Sequence, residues 1–402
     1  GTIELIDIDD TREGWVEAVS CLIDSYLEEG SSPVDFTFDN IRKYGETIRG
    51  FGGVASGPEP LRQGLNGVRD ILSKRSGNLL QVSDIVDIMD LIGKLVVAGN
   101  VRRSALLSLG SVEDSEFTKL KDWNIYPVEM GMKAPDELLD INATDYKNYN
   151  SDINSRKDII LKYAEYPWSY KFNGFRWASN NSIYATPGMD YSTIVDSIAT
   201  NGEPGLFWLD NAKYYGRMKD GVKHDDLKVQ GVNPCSEIQL ESYEVCNLNE
   251  NYPANHNDYW DFQRTLKFSY LYSKAITLLG THWEDTNAVI ARNRRIGCSV
   301  SGIQELFIKQ GRFESLDWLD KSYDYIKYLD KKYSDWLGVP KSIRKTAIKP
   351  SGTVSLLAGA LPGIHHPEST SYYRLIRVSS DSQLIEILKK ANYRVEPSAT
   401  DA

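Results

Sequence analysis

Residues 231–250, GVNPCSEIQLESYEVCNLNE, gather the side chains best suited to chemistry. Asn233, Cys235 and Glu237 alternate with Pro234 and Ser236. An extended backbone would turn these three to one side, about 6–7 Å apart at roughly 3.3 Å per residue. A thiol to react, a carboxylate to take a proton and an amide to hold hydroxyls suit work on a small polyol. Pro234 lacks an N–H and fixes its own φ, so the stretch reads as a tight, irregular approach to a strand. Cys246 follows Cys235 by eleven residues. Free cysteine is often buried, so two core thiols are the alternative reading. The polar groups clustered around Cys235 argue against it.

A second stretch, KPSGTVSLLAGALP at 349–362, suits an anion. Pro350, Ser351, Gly352, Thr353 and Val354 make a tight turn with two hydroxyls and several N–H groups, a way of cradling phosphate. Ser/Gly turns are common, and His365 and His366 just beyond read as polar surface. Arg102 and Arg103, between a helix and the apolar strand LLSLG, need anionic partners, either acidic side chains or a ligand.

The elements around these groups alternate between strand and helix, an α/β pattern. Asp10 and Glu13 form a capping box. Trp15, Val19, Leu22, Ile23 and Tyr26 then trace a helical stripe. Ser83 caps a helix over 83–98, closed by Gly99. Further helices are expected near 262–279 and 317–336, and strands after Arg176 and at LFWLD. Residues 111–172 read as a surface insertion in one domain spanning 1–402. Cys21 and Cys298 read as structural thiols.

The net charge of −10, without a basic block, argues against a nucleic-acid polymer as partner. Four cysteines without paired spacing fit a reducing compartment, and no metal-binding array is visible. No apolar run reaches about 18 residues and no signal peptide is evident, so a soluble, cytoplasmic protein away from membranes is expected.

N-P-C-S-E-I with C-N-L eleven residues on resembles the finger loop of class II, adenosylcobalamin-dependent ribonucleotide reductases. The monomeric ribonucleoside-triphosphate type is the most similar. Its usual pattern is N-P-C-G-E-I, so Ser236 stands where a glycine is usual. D-T-R-E-G-W, G-F-G-G-V-A-S-G-P, N-V-R-R, R-W-A-S-N-N-S, N-G-E-P-G, N-R-R-I-G and P-S-G-T are also similar and in order. The resemblance implies a ten-stranded α/β barrel with Cys235 on a central finger loop, a barrel this chain need not complete alone.

The resemblance also implies roles. Adenosylcobalamin would generate a thiyl at Cys235, which takes the 3′ hydrogen of a ribonucleoside di- or triphosphate. Glu237 would be the general base, Asn233 would orient the ribose hydroxyls, and Cys246 would be one of two reducing cysteines. Residues 350–354 would bind substrate phosphates. Asp10, Asn100, Arg102 and Arg103 would lie at the specificity site for a dNTP or ATP effector. A thioredoxin-like or dithiol reductant would restore the thiols. The family's other reducing cysteine, on an early strand, and its redox-active cysteine tail have no counterpart in these 402 residues. A partner chain or homodimer is therefore expected. An inactive or split-subunit nucleotide-binding relative is the alternative.

Overall fold

The computed structural model describes residues 3–48, 54–97, 104–121, 175–367 and 384–396, with Ser369, Ile376, Val378 and Ser382. Asn100, Arg102 and Arg103, and most of the expected insertion at 111–172, lie outside the described residues. Two compact units divide the chain, one drawn from 1–184, 189–206 and 375–402, the other from 185–188 and 207–374.

In the first unit, β1 (Glu4–Asp7) leads to α1 (Arg12–Leu27), and β2 (Val34–Thr37) pairs with β1 in parallel. The cap of α1 is Thr11, whose hydroxyl accepts the Gly14 N–H at 2.9 Å. Asp10, expected as the cap, instead forms an ion pair with Arg42. Thr11 can supply an N-cap oxygen as well as aspartate can, so the helix starts one residue later.

Leu61, Leu65, Val68 and Leu72 recur at helical spacing on α2 (Glu59–Lys74) and are buried. They pack towards Ile88, Leu91 and Leu95 of α3 (Val82–Val97). Gly64 makes this contact close: a Cβ there would lie 2.5 Å from Leu95. Ser83 is inside α3 and donates to Glu116 rather than capping the helix.

Strand β3 (Leu106–Gly110) follows, then the turn of helix α4 (Ser115–Thr118). β4 (Ser179–Tyr184) pairs with β3 in parallel. After α5 (Val195–Asn201), β5 (Gly205–Phe207) completes a three-stranded sheet in the order β3-β4-β5. Arg176, buried at the start of β4, donates two hydrogen bonds to Asp87 of α3 at 2.5 and 2.8 Å. Arg176 thus ties the approach to the central strand β4 to α3.

The second unit runs from α6 (Leu209–Tyr214) through the two-residue strands β6 (Gly231–Val232) and β7 (Gln239–Leu240) to β8 (Leu248–Asn251). Then come α7 (Tyr259–Ile276), α8 (Glu284–Asn293), β9 (Gly297–Val300), α9 (Ile303–Gln310) and α10 (Arg312–Leu337). β8 and β9 pair in parallel. Phe262, Leu266 and Tyr270 of α7 pack with Trp318, Ile326, Leu329 and Tyr333 of α10 around Ile296 and Cys298. Inside this core Lys274 and Asp330 form a fully buried ion pair at 2.9 Å. Tyr270 O–H and the Ser342 N–H also donate to Asp330, satisfying the buried charge. The last element of this unit is α11 (Val354–Leu357).

The described strands form four small sheets of two or three strands. No described helix is long and apolar enough to cross a membrane.

Candidate active site

Asn233–Ile238 is a hairpin loop, not a strand. β6 and β7 pair antiparallel, Gly231 with Leu240 and Val232 with Gln239. Asn233 N–H then donates to Ile238 O at 3.0 Å, and Ile238 N–H returns a bond to Asn233 Oδ1 at 2.9 Å. Ser236 N–H donates to Asn233 O at 2.8 Å, with Ser236 in the left-handed region at φ 65. The evenly spaced row expected of an extended chain is therefore absent. The reason is local: an asparagine carbonyl that bonds the backbone further along folds the chain into a turn. The loop is seated by Ile238, 3% exposed, against Gly297 of β9. A Cβ on Gly297 would lie 2.3 Å from Ile238 and 2.5 Å from Leu248.

The turn separates its groups by exposure. Cys235 and Ser236 are exposed, while the Glu237 side chain is only 1% exposed. Glu237 Oε1 accepts from Lys349 Nζ at 3.0 Å. Oε2 is buried and has no hydrogen-bond partner among the described residues. Burial works to lower the Lys349 ammonium, but the bond and charge of Glu237, with the two nearby thiols, hold it above the ordinary lysine value. Lys349 was not singled out from the sequence. Its only signal was a cation placed directly before P-S-G-T.

Cys246 is exposed as a residue, yet protein around its sulfur disfavours the thiolate. That burial, reinforced by the Glu237 charge and partly offset by Lys349, pushes the thiol up to about 11. Cys235 acts on it too, so Cys235, Glu237, Cys246 and Lys349 share one electrostatic neighbourhood. Neither cysteine is in a disulfide.

Residues 241–246 are anchored from N-R-R-I-G. The Asn293 Nδ2 group donates to Glu241 and to Glu244, each at 2.9 Å. Arg295 pairs with Glu244 at 2.8 Å and with both oxygens of Asp226, which Arg344 also contacts at 2.8 Å. The Arg295, Asp226 and Glu244 side chains are nearly fully buried, and these ion pairs hold the segment carrying Cys246.

The second expected ligand-binding stretch divides likewise. Ser351 is buried at φ 49, its hydroxyl turned inward on Ser301 and Gly363. Pro350, Gly352, Thr353 and Val354 are exposed, and the Thr353 hydroxyl makes no capping bond to α11. Of the two hydroxyls expected to face a ligand, that of Ser351 is committed inward and Thr353 lies at an exposed position. His365 and His366 are exposed. No group of three or more His, Cys, Asp or Glu among the described residues could hold a metal ion.

Residues 3–72 match the family model for the B12-dependent ribonucleotide reductase insertion domain. A probable adenosylcobalamin-dependent ribonucleoside-triphosphate reductase of Dictyostelium discoideum is 44% identical over 97% of this chain and 46% of its own length. The Euglena gracilis adenosylcobalamin-dependent ribonucleoside-triphosphate reductase is 41% identical over 97% of this chain and 48% of its own. A crystal structure of a B12-dependent, class II ribonucleotide reductase superposes with a TM-score of 0.71 at 32% identity. It covers 90% of this chain and 48% of the solved one.

The chain is a relative of the class II ribonucleotide reductases.

It spans about half the length of the curated class II relatives it matches. Its fold is that of the class II structure over the aligned 90%. Position 236 has a positive φ, which glycine adopts without steric cost, and serine occupies it here. Asp10 falls within the insertion-domain match, on the first unit, in its ion pair with Arg42.

Proposed function

We propose that the protein containing this chain reduces ribonucleoside triphosphates to 2′-deoxyribonucleotides by thiyl chemistry at Cys235. The observation that carries this reading is the paired environment of Glu237. Its carboxylate is buried, one oxygen is held by Lys349 at 3.0 Å, and the other has no partner among the described residues. An exposed thiol stands two residues away. A carboxylate oriented by a cation on one oxygen, with the other oxygen uncommitted, suits a general base.

The described residues fit adenosylcobalamin in one respect: Cys235 is exposed at the tip of its hairpin. When bound, the cofactor would supply the radical chemistry that turns a thiol into a thiyl, and Cys235 is the group fitted to undergo it. The Cys235 thiyl takes the 3′ hydrogen of the ribose. Glu237 Oε2 accepts the 3′ hydroxyl proton. Asn233, its carbonyl committed to Ile238, offers its NH2 group to a ribose hydroxyl. The 2′ C–O bond breaks and a C–H bond forms while water leaves. Two thiols, Cys246 and a second one, are oxidised to a disulfide and supply the two electrons and two hydrogens, one to C2′ and one to the departing water. Cys235 returns its hydrogen to C3′, which restores the thiyl, and Glu237 returns its proton to the 3′ oxygen.

The exposed face of residues 350–354 holds the substrate phosphates through Thr353 and backbone N–H groups. A dNTP or ATP effector bound near Asp10 and residues 100–103, a thioredoxin-like or dithiol reductant and a partner chain or second copy complete the reading. The setting is the cytoplasm, where thiols stay reduced. The α/β barrel of the family, with the hairpin at its centre, is the architecture we infer for the whole protein.

The test is turnover of a ribonucleoside triphosphate mixture with adenosylcobalamin and dithiothreitol, with deoxynucleotides detected by mass spectrometry. Cobalamin-dependent product that Cys235→Ser abolishes, with nucleotide binding retained, is expected. Product from the Cys235→Ser variant would overturn the reading.

A further inference from the structure

Beneath the 349–354 turn lies a carboxylate that the chemistry above does not use. Glu250 of β8 stands directly opposite Ser299 of β9. Side chains alternate along a strand, so Ser299 and Ser301 face the same side. Both donate to one oxygen: Ser299 Oγ reaches Glu250 Oε1 at 3.1 Å and Ser301 Oγ reaches it at 2.6 Å. The other oxygen, Oε2, is buried and has no hydrogen-bond partner among the described residues.

Each serine has one proton to give, so these bonds fix the direction of both hydroxyls. Ser299 Oγ can then only accept, and it accepts the Lys349 N–H at 2.8 Å. Ser301 Oγ likewise accepts from the Ser351 hydroxyl and from the Gly363 N–H, the latter at 2.9 Å. Glu250 thus ends two hydroxyl relays. One leads to the backbone of the residue whose side chain holds Glu237. The other leads to the inward-turned serine of the P-S-G-T turn. Ser299 and Ser301 are both fully buried, so neither hydroxyl has water to turn to.

We propose that Glu250 is the positioning residue of the phosphate turn, holding Lys349 and Ser351 in register through Ser299 and Ser301. The proposal rests on the reading of 350–354 as the phosphate site. Burial raises the Glu250 carboxyl despite both serine bonds and the nearby Lys349 charge. An acid maintained against that cost, with one oxygen unpartnered, marks a place where geometry outranks stability. No motif announced it, although it lies four residues after Cys246.

The experiment measures affinity of the full 402-residue chain for CTP and for cytidine, which lacks the phosphates. Glu250→Ala should weaken CTP about tenfold and leave cytidine within about twofold, since two buried hydroxyls lose their acceptor. Glu250→Gln keeps an acceptor oxygen and should stay within about threefold for both ligands. Equal losses for CTP and cytidine, or wild-type CTP affinity in Glu250→Ala, would overturn the proposal. If circular dichroism shows Glu250→Ala unfolded, Ser301→Ala decides. It cuts the relay to Ser351, and the Gly363 bond to the same hydroxyl, but spares the relay through Ser299, and it should reproduce the selective CTP loss; unchanged CTP affinity would overturn the proposal. Wild-type chain that binds cytidine but gains nothing from the phosphates of CTP would overturn the phosphate-site reading, and this inference with it.

Discussion

Lys349 Nζ meets Glu237 Oε1 at 3.0 Å, joining two segments separated by 112 positions. The cation belongs to the phosphate turn and the carboxylate to the thiol hairpin, so one ion pair ties the two halves of the proposed chemistry together. Lys349→Met would leave a buried carboxylate without its partner and without the bond that orients it. Turnover at neutral pH should fall about 100-fold, the scale of a general base's contribution. Wild-type turnover in Lys349→Met would remove the ion pair from the proposed chemistry.

The same pair affects stability on the alkaline side. The folded-state ammonium of Lys349 stands above its ordinary 10.5. Its contribution is thus fully present below the unfolded value and is lost as pH rises through the folded one. Denaturant midpoints measured across pH 10.5 and above should decline in the wild type and decline less in Lys349→Met. Identical slopes would show the pair to be energetically idle.

Ser236 carries a side chain at φ 65. Ser236→Gly should therefore raise stability by about 1 kcal/mol, the scale of left-handed strain in a non-glycine residue. Equilibrium unfolding of the two forms gives the difference directly, and a loss of stability would contradict the strain.

Asn233 closes the hairpin by accepting the Ile238 N–H at 2.9 Å. Asn233→Ala strands a buried donor, at a cost of about 1–3 kcal/mol. Amide exchange at Ile238 should accelerate ahead of the rest of the second unit, whereas Asn233→Asp should retain protection. Equal exchange in wild type and alanine variant would show that the loop closes by other means.

Cys246 should remain a neutral thiol through the physiological range, because burial and the Glu237 charge push it up to about 11. Thiolate absorbance, read as the difference between wild type and Cys246→Ser, should appear only near that pH. Glu237→Gln removes a repelling charge and should bring the transition down. A Cys246 transition near pH 8 would contradict this environment.

These cases show what was legible in the order of residues. Asn233, Cys235, Glu237 and Cys246 could be found because they lie within one short stretch whose polar crowding is unusual. Their geometry was not legible, because the choice between strand and turn was made by one side-chain bond from Asn233 and a left-handed serine. Lys349 and Glu250 were missed for a different reason. Spacing reports neighbours along the chain, and their partners arrive across long loops and through parallel strand pairing. The helices expected near 262–279 and 317–336 run over 259–276 and 312–337. The start of α1 moved by one residue, because Thr11 rather than Asp10 serves as its cap. Ser351 was rightly placed at the turn, but its direction depended on Ser301, fifty residues earlier.

Cys298 lies at the centre of the α7/α10 core, 3% exposed, with its thiol pushed up to about 12 by burial. An alkylating reagent can reach it only when that core opens. The sulfur is therefore an internal clock: its modification rate under native conditions reports how often the second unit breathes.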